Sequence, residues 1–246
     1  MMIKTEKGYA QLYKIYGQSE TDIKERIKHI LKQGGTSVVY TRRRAREVHV
    51  LAETGEQDEE TAKNLLKPVG RELKKALGDL YYSTKENETM EEAVVRLLLK
   101  YERTVTTAES CTGGMIAARL VNVPGVSEVF YQGFITYSNK AKRKILDVGK
   151  ATLKKYGAVS EQTAREMALG GVFASDADAC VAVTGIAGPD GGTEEKPVGL
   201  VYIACCMKDD VTVEEYHFHG TRAEIREQSA SAALDLLRRS ILKNYR

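Results

Sequence analysis

The sequence predicts an α/β fold in two parts: a three-layer α/β/α sandwich with a mixed sheet, preceded by a small α+β domain. Two observations lead to this prediction. Segments with strand periodicity alternate with segments of helical periodicity along the second part of the chain. A polar segment without apolar residues, STKENET at 83–89, separates this part from the first. We therefore expect two domains, residues 1–88 and 89–246.

The first part predicts the order β-α-β-β-α, closed by the short segment LYYS. GYAQLYKIYG alternates apolar and polar residues, and SETDIKERIKHILKQ places Ile23, Ile27 and Ile30 at helical spacing. TSVVYT and EVHVLAE form a predicted strand pair. EQDEETAKNLLKPVGRELKKALG is a predicted helix whose acidic residues come first and whose lysines come late, as the helix dipole favours.

The second part opens with Thr89 and Glu92 as a capping box before the predicted helix EEAVVRLLLKYE. The strand TVTTAES runs into a predicted helix CTGGMIAARLV, followed by a strand (VFYQGFITYS), a helix (NKAKRKILDV) and another helix after Ser160. The buried strand DACVAVTG, a glycine-rich loop and the strands GLVYIACCM and VTVEEYHFHG come next. These last two are joined at KDD, and their hairpin makes the sheet mixed. Thr221 and Glu224 cap the closing helix.

Composition predicts a folded cytoplasmic protein without a metal or a disulfide framework. Hydrophobic residues make up 42% of the chain, no apolar run approaches a membrane span of about 20 residues, and the first residues lack the apolar core of a signal peptide. The four cysteines show no CxxC spacing and the four histidines are scattered, so we expect neither structural zinc nor another metal site.

The formal charge of +3 comes from residues 1–90, which carry 17 Lys and Arg against 14 Asp and Glu. Much of it lies in one cluster, Arg42, Arg43, Arg44 and Arg46 in TRRRAREVHV. Such a cluster can contact phosphates, but at a hairpin tip it is usually a solvated turn. We do not expect nucleic acid as a partner.

The stretch AESCTGG at 108–114 offers two adjacent candidate nucleophiles, Ser110 and Cys111. If residues 111–114 begin a helix, their backbone N–H groups could hold an oxyanion or a phosphate. The alternative is that the glycines only let the helix pack close to the sheet.

Two further stretches contain residues that could take part in catalysis or binding. In TYSNKAKRK a lysine could act as a base if its pKa were lowered, and Lys140, Lys142, Arg143 and Lys144 crowd together there. The alternative is an ordinary basic helix start behind an Asn139 cap.

The loop TGIAGPDGG could bring backbone amides to an anion or be a long turn. It matches neither a Walker loop nor GxGxxG, so neither ATP nor a dinucleotide is indicated.

Taken together, AESCTGG, YSNxAK, VTGIAGPDGG and KPVG resemble, in that order, the CinA C-terminal domain family of nicotinamide-nucleotide amidohydrolases. The resemblance covers about residues 89–243. Residues 8–85 are similar to the KH-type middle domain of longer CinA proteins. The molybdopterin-binding-like domain of those proteins has no counterpart in the sequence, so we do not expect its pyrophosphatase activity.

The resemblance implies deamidation of nicotinamide mononucleotide, with Ser110 as the nucleophile, assisted by Lys142 and Tyr137. It implies no cofactor and a homo-oligomer, with a dimer favoured. Cys111 is then a small buried hydrophobe.

A phosphate-bearing substrate needs amides or cations, and we expect the glycine loop to face Ser110, with Arg222 or Lys196 contacting the phosphate. The candidate substrate-binding residues are Thr112, Gly113, Asn139, Gly185, Gly188, Gly191, Lys196 and Arg222. The alternative function is a catalytically inactive CinA-like protein that binds RNA through its KH-like domain. The absence of a GXXG loop in that stretch weighs against it.

Overall fold

A computed structural model describes residues 2–31, 37–44, 47–208 and 210–246. The chain divides into two compact units, Met1–Met90 and Glu91–Arg246. Among the described residues, no helix is both long and apolar enough to cross a membrane.

The first unit is a small α+β structure. Its elements are β1 (Met2–Lys4), β2 (Tyr9–Tyr16), α1 (Glu20–Arg26), α2 (Lys28–Leu31), β3 (Ser37–Arg44), β4 (Glu47–Thr54), α3 (Glu59–Leu77) and β5 (Tyr81–Ser83). In the described part of the unit, the strands form an antiparallel sheet in the order β1-β2-β4-β3, and β5 also pairs with β2. The apolar faces of β2 and β4 pack against the three helices, which confirms the predicted α+β organisation.

Two details of this unit differ from the sequence prediction. The helix predicted for 19–33 is two helices over its described part, because the backbone at Ile27 (φ −105°, ψ 12°) leaves the helical region, and residues 32 and 33 lie outside the described residues. The three-residue strand β1 was not predicted, since so short a segment shows no periodicity. Arg46, part of the predicted arginine cluster, lies outside the described residues.

The second unit is an α/β structure with a mixed sheet. Its strands are β6 (Val105–Glu109), β7 (Phe130–Ile135), β8 (Ala179–Gly185), β9 (Leu200–Met207) and β10 (Asp210–His217). Its helices are α4 (Met90–Tyr101), α5 (Met115–Val121), α6 (Asn139–Leu146), α7 (Lys150–Tyr156), α8 (Glu161–Ser175) and α9 (Arg222–Tyr245). The strand order is β10-β9-β8-β6-β7, with β6 parallel to β7 and β8, and with β9 antiparallel to β8 and β10. The mixed sheet is confirmed.

Helices cover both faces of this sheet, as neighbouring residues of β9 illustrate. Successive side chains of a strand point to opposite faces. Cys206 joins the cluster that Met167 of α8 forms with the sheet, whereas Cys205 lies against Ser240 of α9.

The helix α7 was not predicted, because KATLKKY offers too few apolar residues for a helical pattern.

The predicted helix starts at Ser160 and Thr221 are confirmed. The Ser160 side chain accepts a hydrogen bond from the Thr163 amide at the start of α8. Thr221 and Glu224 form the predicted capping box at the start of α9.

We predict that Ser160→Ala lowers the free energy of unfolding of the second unit by about 1 kcal/mol, because the Thr163 amide loses its cap. Urea denaturation monitored by circular dichroism measures the change. The control is Ser127→Ala, at an exposed serine, which should stay within about 0.5 kcal/mol of wild type. Equal losses in the two variants would contradict the capping role.

Candidate active site

The candidate site lies where three parallel strands end side by side. β6 lies between β7 and β8 in the sheet. After β6 the chain forms β7 on one side of it, and later forms β8 on the other side. In open α/β sheets such a switch in strand order opens a crevice at the carboxyl ends of the strands. The loops that follow β6, β7 and β8 contain Ser110, Tyr137 and Gly188 respectively.

Ser110 directly follows β6 and is held by both neighbouring strands. Its amide donates to the carbonyl of Val183 on β8 at 3.0 Å, and the preceding carbonyl of Glu109 accepts from the amide of Thr136 after β7 at 2.8 Å. The residue is 9% exposed. The backbone of the candidate nucleophile is therefore fixed.

Lys142 contacts Ser110. Its Nζ donates to Ser110 Oγ and to the Thr136 carbonyl, each at 2.8 Å. The lysine is 1% exposed, and its removal from water lowers its pKa to about 8, although the neighbouring Cys111 thiol acts in the opposite direction. At neutral pH an appreciable fraction of the amine is therefore uncharged and able to accept a proton.

The helix α6 directs Lys142 rather than Lys140 into the interior. Lys142 and Leu146 are one helical turn apart and are both buried, whereas Lys140 is exposed. The N-cap of α6 is Ser138, whose side chain accepts from the Ala141 amide at 3.1 Å. The prediction of an Asn139 cap was wrong by one residue, and Asn139 is the exposed first residue of the helix.

The loop after Ser110 is a turn, and the prediction that residues 111–114 begin a helix was wrong. Gly113 and Gly114 have φ of +59° and +92°, outside the right-handed helical region, and α5 starts at Met115. The Gly113 amide donates to the Ser110 carbonyl at 3.1 Å. Within the described hydrogen bonds of residues 110–114, the amides of Cys111 and Thr112 have no oxygen acceptor and lie against the Cys111 sulfur.

Glu109 accounts for the amides at the start of α5. Its carboxylate is fully buried and accepts from the amides of Gly114, Ile116 and Ala117 at 2.9 to 3.1 Å. Of the four amides predicted to be free, Glu109 binds that of Gly114 and the Ser110 carbonyl binds that of Gly113, which leaves two. Those two, on Cys111 and Thr112, could hold an oxyanion beside Ser110.

The side chain of Cys111 has the properties of a buried hydrophobe. It is 6% exposed, and burial raises the pKa of its thiol to about 11. A nucleophilic cysteine needs a depressed pKa and a base. Between the two adjacent candidates, the geometry therefore favours Ser110.

Tyr137, Arg222 and Gly188 form a second cluster at the same edge of the sheet. Arg222 Nη1 donates to the Gly188 carbonyl at 2.7 Å, and Nη2 donates to the Tyr137 hydroxyl at 2.9 Å. Arg222 thus connects the loops after β7 and β8. Tyr137 is 60% exposed, and in the described part of the chain its hydroxyl contacts neither Ser110 nor Lys142.

The other predicted residues are placed differently. Lys196 Nζ donates to the carbonyls of Tyr156 and Val159, each at 2.7 Å, so its ammonium supports the loop between α7 and α8. Gly185 is the last residue of β8, where a side chain would meet the Leu200 carbonyl at 2.9 Å. Gly191 is exposed, and Thr112 is fully buried with no partner for its hydroxyl among the described residues.

Sequence reasoning did not single out Glu109 and Arg226. Arg226, in the second turn of α9, donates from Nε to the Cys111 carbonyl and from Nη2 to the Thr112 carbonyl. Glu109 carried one signal, an acidic residue at the end of an apolar strand. Arg226 carried none, because it meets the turn only through the fold.

Both parts of the chain match known families. Residues 87–241 match the family described as the CinA C-terminal domain, and residues 10–83 match the KH domain of the damage-inducible protein CinA. A crystal structure of the competence/damage inducible protein CihA from Agrobacterium tumefaciens has a TM-score of 0.59 at 43% identity, over 63% of this chain and 97% of that one. A CinA superfamily protein from Escherichia coli has a TM-score of 0.59 at 34% identity, over 66% of this chain and 97% of that one.

Longer relatives match almost the whole chain. A CinA-like protein of Kosmotoga olearia is 42% identical over 234 residues, which is 95% of this chain and 57% of the relative. A candidate competence-damage inducible protein of Clostridium beijerinckii is 44% identical over 236 residues, again 95% of this chain and 57% of the relative. The chain therefore spans little more than half the length of these relatives. Since both of its parts match in order, the protein belongs to the CinA family.

Proposed function

We propose that this protein deamidates nicotinamide mononucleotide to nicotinate mononucleotide and ammonia, with Ser110 as the nucleophile. The observation that carries the proposal is the 2.8 Å contact between Lys142 Nζ and Ser110 Oγ. The substrate is inferred from the motif resemblance. The names of the relatives refer to competence and damage rather than to a reaction.

In the first step the Ser110 oxygen attacks the carboxamide carbon while the uncharged Lys142 amine takes the serine proton. An amide is a poor electrophile, so both an activated alkoxide and oxyanion stabilisation are needed. The amides of Cys111 and Thr112 are the donors available for the oxyanion. Collapse of the tetrahedral intermediate breaks the carbon–nitrogen bond as the Lys142 ammonium gives its proton to the leaving nitrogen, and ammonia departs.

In the second step water hydrolyses the serine ester. Lys142, again uncharged, accepts a proton from the attacking water and returns it to Ser110 as the carboxylic acid product leaves, which then releases its own proton to solvent. The resemblance gives Tyr137 an assisting role. In this structure its hydroxyl accepts from Arg222, so we propose that it acts on the substrate side of the site.

Arg222 is the stronger of the two candidates for the substrate phosphate. It is exposed and already connects the loops after β7 and β8. The ammonium of Lys196 is engaged by two carbonyls. The homodimer that the resemblance implies stays a prediction, as does a cytoplasmic location.

The direct test of the proposal is ammonia release from nicotinamide mononucleotide by the purified protein, with nicotinate mononucleotide identified as the second product. Filter binding of RNA over a salt series tests the alternative function. Turnover without salt-dependent RNA binding supports the enzyme. RNA binding without ammonia release would support the alternative.

We predict that Ser110→Ala reduces deamidation to the assay background, because the nucleophile is lost, and leaves the thermal unfolding transition in place. Cys111→Ala should keep most of the activity, because its thiol is buried and protonated. The assignment fails if a thiol-alkylating reagent inactivates wild type but not Cys111→Ala.

We predict that kcat/KM falls as the pH drops below about 8, by about tenfold per pH unit, because Lys142 is then protonated and cannot act as the base. Lys142→Ala should lower turnover by a factor of about 100 or more and remove this pH dependence. Lys140→Ala is the matched control and should retain both the rate and the profile, since Lys140 is exposed. Equal losses at the two positions would show that bulk positive charge, rather than one base, is responsible.

We predict that Arg222→Ala lowers the preference for nicotinamide mononucleotide over free nicotinamide by roughly 1.5 to 3 kcal/mol, the range for a charge-assisted hydrogen bond. Lys196→Ala should lower this preference less. The preference is measured as the ratio of kcat/KM for nicotinamide mononucleotide to kcat/KM for free nicotinamide. Wild type that deamidates both substrates equally well, or an Arg222→Ala variant with an unchanged ratio, would rule out this phosphate site.

A further inference from the structure

Arg226 holds two consecutive carbonyl groups of the turn that follows the candidate nucleophile. Its Nε donates to the Cys111 carbonyl at 3.1 Å and its Nη2 to the Thr112 carbonyl at 2.7 Å. The residue lies on α9, 115 positions along the chain from Cys111, and is half-buried. One rigid guanidinium therefore fixes two adjacent peptide groups.

Peptide geometry determines what this contact does on the other side of the turn. In a trans peptide the C=O and the following N–H point in opposite directions. Because the Cys111 carbonyl points to Arg226, the Thr112 amide points away from it. The Thr112 carbonyl belongs to the same peptide as the Gly113 amide, which donates to the Ser110 carbonyl. Arg226 therefore fixes the direction of the Thr112 amide, which has the Cys111 sulfur and no oxygen as its described partner.

The charge of Arg226 also acts through the peptide. Hydrogen bonds in a chain polarise one another, and a charged donor on a carbonyl makes the N–H of the same peptide a stronger donor. The amide opposite the guanidinium is thus better able to stabilise negative charge developing beside Ser110. A neutral side chain at position 226 could not supply this effect.

Glu109 performs the complementary task at the other end of the turn. Its carboxylate occupies the amides of Gly114, Ile116 and Ala117. The two charged side chains divide the backbone groups around Ser110 between them, since one binds carbonyls and the other binds amides. Within the described residues, the amides of Cys111 and Thr112 alone among residues 110–114 have no oxygen acceptor, and a thiol is a weak one that an oxyanion can displace.

We propose that Arg226 is a positioning residue for oxyanion stabilisation: through the Cys111–Thr112 peptide it aims and polarises the Thr112 amide toward the oxygen that becomes negative when Ser110 attacks. The inference deepens the proposed function: it rests on that function for Ser110 as the nucleophile and not for the identity of the substrate. The role of Arg226 holds for any acyl or phosphonyl group that Ser110 attacks.

The test compares Arg226→Gln and Arg226→Lys with wild type, and Arg165→Gln is the matched control. Arg165 also donates to a backbone carbonyl, that of Val211, but at the opposite end of β10 from the site. Two rates are measured: deamidation of nicotinamide mononucleotide, and covalent labelling by a fluorophosphonate probe. In the labelling reaction a Ser110 Oγ–P bond forms, fluoride leaves and Lys142 takes the serine proton.

Arg226→Gln should lower kcat and the labelling rate by about 10- to 100-fold, somewhat less than direct loss of an oxyanion donor, with KM within about threefold of wild type. Arg226→Lys should recover part of the loss, because an ammonium can reach one of the two carbonyls. The pH dependence should keep its midpoint near 8 in both variants, since Lys142 is untouched. Arg165→Gln should match wild type in both rates.

Labelling that is within twofold of wild type in Arg226→Gln would overturn the inference. So would a loss accompanied by a displaced midpoint in the pH profile and a lower unfolding temperature, because Arg226 would then only support packing. If wild type labels at Ser110 but releases no ammonia, the proposed substrate is wrong, and the labelling rates still decide the role of Arg226. Wild type that is not labelled at Ser110 would contradict both proposals.

Discussion

The burial of the Lys142 amine is the constraint on which the candidate site depends. A charged lysine is costly to remove from water unless an acidic group compensates it. In the described part of the chain the polar partners of Nζ are a hydroxyl and a carbonyl, Ser110 Oγ and the Thr136 oxygen. Neither carries a charge that would stabilise the ammonium, so desolvation lowers the pKa of Lys142 toward neutral pH. A nucleophile and a base then stand in contact without a histidine.

The fold supplies this geometry through the ends of three parallel strands. β6 presents Ser110, β7 leads to the Thr136 carbonyl and then to α6, and β8 accepts the Ser110 amide. Because these strands are neighbours in one sheet, backbone hydrogen bonds between the strand ends fix where each following loop begins, as a rigid scaffold does for functional loops. Glu109 and Arg226 then orient the turn itself. The catalytic proposal therefore draws on two levels of order, strand register and charged contacts to backbone groups.

Several features of the fold can be predicted from the sequence, whereas parts of the candidate site cannot. Both the mixed sheet and the helix starts at Ser160 and Thr221 follow from patterns within short segments, and the structure confirms them. The start of α5 was wrong because positive φ at Gly113 and Gly114 is set by the turn, and glycine allows it without requiring it. Arg226 could not be found by any local pattern, since its partners are backbone carbonyls distant in sequence.

Lys142 can act as the base for Ser110 only if its buried amine titrates well below an exposed lysine, with half of it uncharged near pH 8. The most direct measurement is an NMR titration of the protein labelled with 13C at lysine Cε, with the Lys142 signal assigned by its absence in Lys142→Met. We expect a midpoint near pH 8 for this signal, whereas exposed lysines titrate at about 10.4. A Lys142 signal that titrates with the exposed lysines would rule out the proposed Ser110–Lys142 pair, because the amine could not then serve as the base for Ser110.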